Sequence, residues 1–232
     1  MAAGAKDIIA NRGTLSLINP NFPSTSLLEF LGEQGFDALF IDCEHGPWTI
    51  RDVEDARRAA DAAGMITFVR VETDHPAIIV RYLNRGVDGI IVPHVETAEQ
   101  ARAIVTAVAE GEFADKRERY INVLVESMLG LENLAEIVQV PGITGVIFGA
   151  VDLSISMGFK GQPQHPEVQA AIDAASKVVH DAGLMLGVTQ ATERLADYVK
   201  RGGCYVYVHA QNLLKAASVS FLDGLPRGVS KG

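Results

Sequence analysis

ALFIDCEHGP, the stretch from Ala38 to Pro47, begins as an apolar run typical of a buried β-strand and ends in ionisable side chains before a Gly-Pro turn. The ionisable residues are Asp42, Glu44 and His45. Charged groups are costly to remove from water, so a cluster at the end of a buried strand indicates the mouth of a functional site. The same pattern recurs on other apolar runs, and this recurrence predicts the fold.

Apolar, β-branched runs alternate with amphipathic helical segments from one end of the chain to the other. The strand candidates are Thr14–Ile18, Ala38–Asp42, Thr67–Arg70, Gly89–Val92, Asn122–Glu126, Gly145–Gly149, Met185–Val188 and Tyr205–Val208. Helical segments lie between them; Thr97–Gln100 has the form of a capping box, and Gly64 and Gly86 follow two helical segments as C-caps. Strict alternation predicts a parallel sheet covered by helices. Eight repeats in roughly 250 residues predict an α/β fold, a (β/α)₈ TIM barrel, with one domain over residues 1–232.

Composition excludes several classes of protein. The chain has a net charge of −9, which argues against nucleic acid as a partner. It has no apolar run long enough to span a membrane and no N-terminal export signal, so we expect a cytoplasmic protein without a membrane partner. Cys43 and Cys204 fit no metal-ligand or redox spacing, and we expect both to be reduced core residues.

The active site of a (β/α)₈ barrel lies at the C-terminal ends of its strands. The polar side chains at these ends are Asn19, Asp42, Glu44, His45, Arg70, His94, Glu126, Asp152, Gln190 and His209. Glu126 and Asp152 are the predicted metal ligands, because two carboxylates on adjacent strands can converge on one Mg²⁺ or Mn²⁺ ion. The histidines do not pair at the spacing of a zinc site.

Arg70 and His45 complete the predicted chemistry. The planar guanidinium of Arg70 suits a substrate carboxylate or a developing oxyanion, although a salt bridge to Glu126 could coexist with that role. His45 is the natural general acid/base, since imidazole side chains as a class titrate near neutral pH. Asp42, three residues earlier, can hold one imidazole nitrogen and fix the tautomer.

Lysine placement favours metal-assisted enolate chemistry over imine chemistry. None of the lysines ends a strand, whereas an imine-forming aldolase needs a desolvated lysine inside the barrel. The loops after the last two strands lack a Gly-rich phosphate site, so we do not expect a phosphorylated substrate.

These residues lie in motifs that resemble the HpcH/HpaI family of class II, metal-dependent pyruvate aldolases. The matching motifs are Gly35–Asp37, Ile41–His45, Val69–Arg70, Val92–Glu99, Val125–Ser127, Leu131–Leu134, Gly142–Val146, Gly149–Ser154 and His165–Val168. They occur in the family's order over most of the chain. The resemblance implies a (β/α)₈ barrel and cleavage of a 4-hydroxy-2-oxo acid to pyruvate and an aldehyde through a metal-stabilised pyruvate enolate.

The resemblance also implies a role for each residue. Glu126 and Asp152 would hold the metal, Arg70 would contact the keto-acid oxygens, and His45, oriented by Asp42, would be the acid/base. Glu44 would hold the metal-bound waters in place. The backbone at Ala150 and Val151 would bind the pyruvate carboxylate. A hexamer with barrel helices exchanged between neighbours is implied as well.

The chain departs from the family pattern mainly on the side of the second substrate. Leu124 replaces a common Gln, the loop over Glu110–Tyr120 is short, and His209–Gln211 replaces a common Gly-x-Asp. Two alternatives to the aldolase therefore stay open. One is a citrate synthase-type condensation of oxaloacetate with acetyl-CoA on the same scaffold, and the other is a non-catalytic barrel that binds a keto acid.

Overall fold

A computed structural model describes residues 4–111, 119–189 and 195–225, and these residues form the predicted barrel. Eight parallel strands close in chain order, with the last strand paired to the first. The strands are β1 (Leu15–Asn19), β2 (Ala38–Asp42), β3 (Ile66–Arg70), β4 (Gly89–Val92), β5 (Tyr120–Val125), β6 (Gly145–Phe148), β7 (Met185–Val188) and β8 (Gly203–His209). The (β/α)₈ prediction is confirmed, and the strand bounds differ from the predicted ones only at their ends.

Helices surround this barrel. They are α1 (Ala5–Arg12), α2 (Thr25–Glu33), α3 (Ile50–Ala62), α4 (Pro76–Leu83), α5 (Ala98–Glu110), α6 (Met128–Glu132), α7 (Leu134–Ile137), α8 (Ala150–Ser156), α9 (Pro166–Asp181), α10 (Leu195–Lys200) and α11 (Ala210–Asp223). The predicted capping box at Thr97 and Gln100 begins α5. Within the described part of the chain, no helix is both long and apolar enough to cross a membrane.

Side chains of each strand alternate between two packed layers. Phe40 and Phe68 belong to the cluster inside the barrel, whereas Leu39 belongs to the cluster beneath the helices. The strand register pairs Phe40 with Phe68 and, two residues further on, Asp42 with Arg70. Because the side-chain period of a strand is two residues, Asp42 and Arg70 continue the inward rows and lie where the barrel opens.

Helix α1 covers the opposite end of the barrel. The main-chain N–H of Ala5 donates to the Tyr120 hydroxyl at 2.9 Å, and Ile8 and Ile9 pack against the inner cluster. The sequence analysis did not predict this helix, because it precedes the first strand and belongs to no β-α repeat. The charged mouth is therefore the end of the barrel that α1 does not cover.

The two cysteines behave as predicted. Cys43 and Cys204 are buried, free thiols. Burial raises the pKa of the Cys43 thiol to about 12 and that of the Cys204 thiol to about 11, so neither is a reactive thiolate at neutral pH.

Candidate active site

The mouth of the barrel contains an ion pair between β2 and β3. Arg70 donates from Nε to Oδ1 of Asp42 at 3.0 Å and from a terminal guanidinium nitrogen to Oδ2 at 2.6 Å. The side chains of Arg70 and Asp42 are 13% and 6% exposed. Burial alone raises the pKa of Asp42, but the hydrogen bonds and charge of Arg70 outweigh it, so the pKa lies below its ordinary value. Asp42 is therefore a carboxylate at neutral pH.

Asp42 also fixes the turn that follows β2. Its Oδ1 accepts the main-chain N–H groups of Glu44 at 3.2 Å and of His45 at 3.1 Å. The prediction that Asp42 holds a ring nitrogen of His45 is thus corrected: Asp42 holds the main chain of His45, because the three-residue spacing forms a turn. The exposed imidazole of His45 lies nearer Glu44, with Nε2 3.7 Å from Oε2.

Glu44 connects the two sides of the mouth. One of its oxygens lies 2.9 Å from Nη1 of Arg70, and the other lies 3.2 Å from Nε2 of His94. Arg70 thus bridges Asp42 and Glu44, rather than forming the bridge to Glu126 that the sequence analysis considered. Glu44 is largely buried and has a cationic or hydrogen-bonding partner on each oxygen.

Glu126 follows β5 and is the most deeply buried carboxylate of the cluster, with 2% of its side chain exposed. Its Oε1 accepts the main-chain N–H of His94 at 3.0 Å and lies 2.9 Å from Nδ1 of the same residue. Burial raises the pKa of Glu126 to about 7; the contacts with His94 oppose this shift, and the charges of Asp152 and Glu44 add to it. A buried carboxylate with acidic neighbours is a site that favours a cation.

Asp152 reaches this cluster through α8. Gly149 lies between β6 and α8 and packs directly against Oε2 and Cβ of Glu126, so a side chain there would overlap the Glu126 carboxylate. The first turn of α8 carries Ala150, Val151 and Asp152, and its N-cap, Gly149, supplies no side-chain cap. The Ala150 N–H donates to the Thr189 hydroxyl at 3.3 Å.

Glu126 and Asp152 fit a hard divalent cation. Mg²⁺ commonly takes one or two protein carboxylates and completes its shell with water or substrate oxygens. In residues 4–111, 119–189 and 195–225, no group of three or more His, Cys, Asp or Glu side chains is arranged to hold a metal ion. The metal site at Glu126 and Asp152 therefore stays a prediction from the sequence.

Neutral polar groups form the side of the mouth between β1 and β8. The buried Asn19 donates from Nδ2 to the Tyr207 hydroxyl at 2.9 Å, and this hydroxyl lies 3.1 Å from Nε2 of His209. Burial raises the pKa of Tyr207 to about 12 and lowers that of His209, so both are neutral at physiological pH. The sequence analysis missed Tyr207, although its position two residues before His209 places it on the same face of β8.

Not every predicted residue can be placed. Gln190 lies outside the described residues, as do residues 112–118 of the short loop predicted over Glu110–Tyr120. Asn19, Asp42, Glu44, His45, Arg70, His94, Glu126, Asp152 and His209 all lie at the C-terminal ends of the strands or in the segments that follow them.

The chain is a closed (β/α)₈ barrel, and carboxylates, an arginine and histidines lie together at the C-terminal ends of its strands. This arrangement is that of a barrel enzyme with its active site at the C-terminal face. Residues 21–208 match the model of the HpcH/HpaI aldolase/citrate lyase family, and the chain belongs to this family.

Named relatives agree with this assignment. The chain is 37% identical to 4-hydroxy-2-oxovalerate aldolase of Rhodococcus jostii (strain RHA1), over 81% of this chain and 82% of the relative. It is 33% identical to 4-hydroxy-2-oxo-heptane-1,7-dioate aldolase of Salmonella typhimurium (strain LT2), over 84% of this chain and 83% of the relative. The solved structure of a citrate synthase superposes with a TM-score of 0.84 at 24% identity, over 94% of this chain and 96% of that chain. The predicted family and the predicted enzyme class, an aldolase and hence a carbon–carbon lyase, are confirmed.

The raised pKa of Glu126 predicts a pH-dependent stability in the metal-free protein. Between about pH 4.5 and about pH 7 the folded chain keeps a proton on Glu126 that the unfolded chain loses, so the free energy of unfolding should fall by up to roughly 3 kcal/mol as pH rises. Denaturant unfolding in the presence of a chelator measures this change. Glu126→Gln should remove it, whereas Glu167→Gln, at an exposed position of α9, should retain it. An identical pH dependence in wild type and Glu126→Gln would contradict the assignment.

Proposed function

We propose that this protein is a divalent-metal-dependent class II aldolase, acting in the cytoplasm as one barrel domain, that cleaves a 4-hydroxy-2-oxo acid to pyruvate and an aldehyde. The reaction is reversible, and its reverse is aldol addition of pyruvate. The observation that carries the proposal is the juxtaposition of the buried Glu126, whose pKa is raised in part by the charge of Asp152, with the Arg70 ion pair at one mouth. The two curated relatives, both named as aldolases of 4-hydroxy-2-oxo acids, support the substrate class.

The proposed cofactor is Mg²⁺ or Mn²⁺, held by Glu126 and Asp152. Both residues carry hard oxygen donors, and the neighbouring acidic charges that raise the pKa of Glu126 would be offset by a cation. When bound, the cation supplies Lewis-acid stabilisation of negative charge on the 2-oxo group.

Arg70 and the first turn of α8 are proposed to bind the keto acid. Arg70 is held rigidly by Asp42 and Glu44, and its guanidinium carbon lies 5.9 Å from the centre of the Phe40 ring. This fixed positive charge suits the keto-acid oxygens and the enolate that develops from them. Main-chain N–H groups at Ala150 and Val151 are proposed to bind the carboxylate, which would replace the Thr189 hydroxyl as the acceptor of the Ala150 N–H.

His45 is proposed to remove the proton from the 4-hydroxyl, directly or through a water molecule. Its side chain is 66% exposed at the mouth, while Asp42 anchors its main chain. The bond between carbons three and four then breaks, and its electrons collect as the pyruvate enolate beside Arg70. Glu44, between Arg70 and His94, is proposed to steady the water molecules of the site.

The placement of lysines supports this chemistry over imine formation. Each lysine in the described part of the chain lies outside the barrel strands: Lys6, Lys160, Lys177, Lys200 and Lys215 are on helices or in a loop. Imine catalysis requires a desolvated lysine at the reacting carbon. The citrate synthase shares the fold of this chain, and among the described residues of the mouth no contact favours a thioester substrate over an aldehyde.

Exchange of deuterium into the methyl group of pyruvate, followed by NMR, tests the proposed enolisation. Exchange should require Mg²⁺ or Mn²⁺ and stop when a chelator is added. Glu126→Gln should slow it at least about a hundredfold, because one of two ligand carboxylates is lost. Lack of exchange with either metal would contradict the aldolase, and oxaloacetate with acetyl-CoA would be the next substrates to test.

His45→Ala should separate bond cleavage from binding. Removing the acid/base should lower the rate of cleavage of a 4-hydroxy-2-oxo acid by about two to four orders of magnitude. Pyruvate binding, measured by calorimetry with Mn²⁺ present, should stay within about twofold, because the binding groups on Arg70 and α8 are untouched. Equal loss of cleavage and binding would show that His45 holds the substrate instead.

The assembly is proposed to be a homo-oligomer, a hexamer by resemblance. Helix α11 exposes a large apolar surface, which includes Leu214, Val219, Phe221 and Leu222; only Ala210 of this helix is buried. Phe221 is 70% exposed. An exposed apolar patch of this kind marks an interaction surface, and a second copy of this chain is the proposed occupant because the family resemblance implies barrel helices exchanged between neighbours.

Phe221→Asp should therefore dissociate the assembly. A charge in an apolar interface is costly to desolvate, so light scattering coupled to size-exclusion chromatography should show a smaller species than wild type. Asn212→Asp is the matched control, since it adds the same charge at an exposed position of the first turn of α11. A wild-type protein that elutes as a monomer of 24.9 kDa would contradict the proposal.

A further inference from the structure

His94 has a backbone conformation that residues other than glycine rarely adopt. Its φ angle is 55°, in the left-handed region, and it is one of few non-glycine residues there among those the structure describes. Strain of this kind persists only where the surroundings enforce it, and it concentrates at functional sites.

The neighbouring segments hold His94 in this conformation. The main-chain N–H of Val95 donates to the carbonyl of Leu124 on β5 at 3.1 Å. The carbonyl of Glu96 accepts Nδ2 of Asn133 at 2.9 Å, and the Glu96 carboxylate accepts the Ser127 hydroxyl at 2.6 Å. The loop between β4 and α5 is therefore fixed to the segment that carries Glu126.

The left-handed conformation turns two groups of His94 toward one oxygen atom. Its main-chain N–H donates to Oε1 of Glu126 at 3.0 Å, and its Nδ1 lies 2.9 Å from the same atom. Its Nε2 lies 3.2 Å from Oε1 of Glu44. The imidazole, 63% exposed, covers two carboxylates that are 2% and 10% exposed.

Oε1 of Glu126 is thus committed to His94, whereas Oε2 lies against Gly149, at the start of the helix that carries Asp152. We infer that His94 is a positioning residue for the proposed metal site: it occupies Oε1 of Glu126 and leaves Oε2 as the oxygen that binds the cation. The inference rests on the proposed function, because it requires Glu126 to be a metal ligand. Groups that orient a ligating carboxylate typically contribute tenfold to a hundredfold in metal affinity.

The same contacts connect the proposed metal site to the proposed substrate site. His94 contacts both Glu126 and Glu44, and Glu44 also pairs with Arg70. Glu44 therefore links the imidazole that orients Glu126 to the guanidinium of Arg70. His94 acts through its contacts with Glu126 and Glu44.

Two substitutions separate the imidazole from the strained backbone. Asn adopts the left-handed conformation readily, and its amide nitrogen can replace Nδ1 of the imidazole; Gly adopts it without strain but offers no donor. The full-length chain is stripped of metal with a chelator and titrated with Mn²⁺, and free Mn²⁺ is followed by electron paramagnetic resonance. His180→Ala is the matched control, because His180 is also 63% exposed but lies on α9. Thermal unfolding verifies that each variant folds.

We expect His94→Gly to bind Mn²⁺ about ten to a hundred times more weakly than wild type, and His94→Asn and His180→Ala to stay within about threefold. His94→Gly within threefold of wild type, or equal losses in His94→Gly and His94→Asn, overturns the positioning role. Nitrogen coupling to bound Mn²⁺ in the wild type overturns it too, since His94 would then be a ligand itself. Mn²⁺ affinity that is the same in wild type and Glu126→Gln instead refutes the proposed metal site, and with it the inference.

Discussion

The bidentate ion pair between Asp42 and Arg70 is the interaction on which the site depends. Carboxylates gather at this mouth from β2, from the segment after β5 and from α8, and their mutual repulsion opposes folding. Arg70 offsets part of this cost, because its planar fork pairs with Asp42 while its remaining nitrogen reaches Glu44. A buried pair of this kind contributes little net stability, but loss of one partner typically costs about 3–5 kcal/mol. Arg70 therefore has a structural role that precedes any contact with substrate.

The barrel makes this pairing possible through strand periodicity. Inward positions alternate along every strand, and the register between β2 and β3 brings Asp42 opposite Arg70, one inward row above Phe40 and Phe68. The aromatic row closes the barrel beneath the charges and excludes water from one side. Burial is the main cause of the raised pKa of Glu126, whose side chain is the most deeply buried of the charged cluster, and the charges of Asp152 and Glu44 add to it.

Sequence periodicity was sufficient to predict the barrel, the strands and the inward carboxylates, because each follows from a repeat that can be counted. The partner of each side chain was harder to predict. Asp42 binds the main chain of His45 instead of its imidazole, because the turn after β2 directs the main-chain N–H groups toward the carboxylate. The contacts of His94 depend on a left-handed φ angle, and residue type alone does not predict that angle for a histidine. Helix α1 was missed because it lies outside the β-α repeat from which the other elements were counted.

The mouth has two chemically different sides, and the division bears on specificity. One side is charged and is formed by Asp42, Arg70, Glu44 and Glu126. Nearly every carboxylate oxygen there has a fixed partner, so a substitution on this side would leave a buried charge unpaired. Across the opening, Asn19, Tyr207 and His209 form a neutral hydrogen-bonded group. A neutral group can exchange partners at low electrostatic cost, because no buried charge is left unpaired. In the proposed reaction the charged side binds the part that all 2-oxo acids share, so the neutral side is the part of the mouth that can vary with the substrate. His209–Gln211, one of the departures from the family pattern, lies on this side.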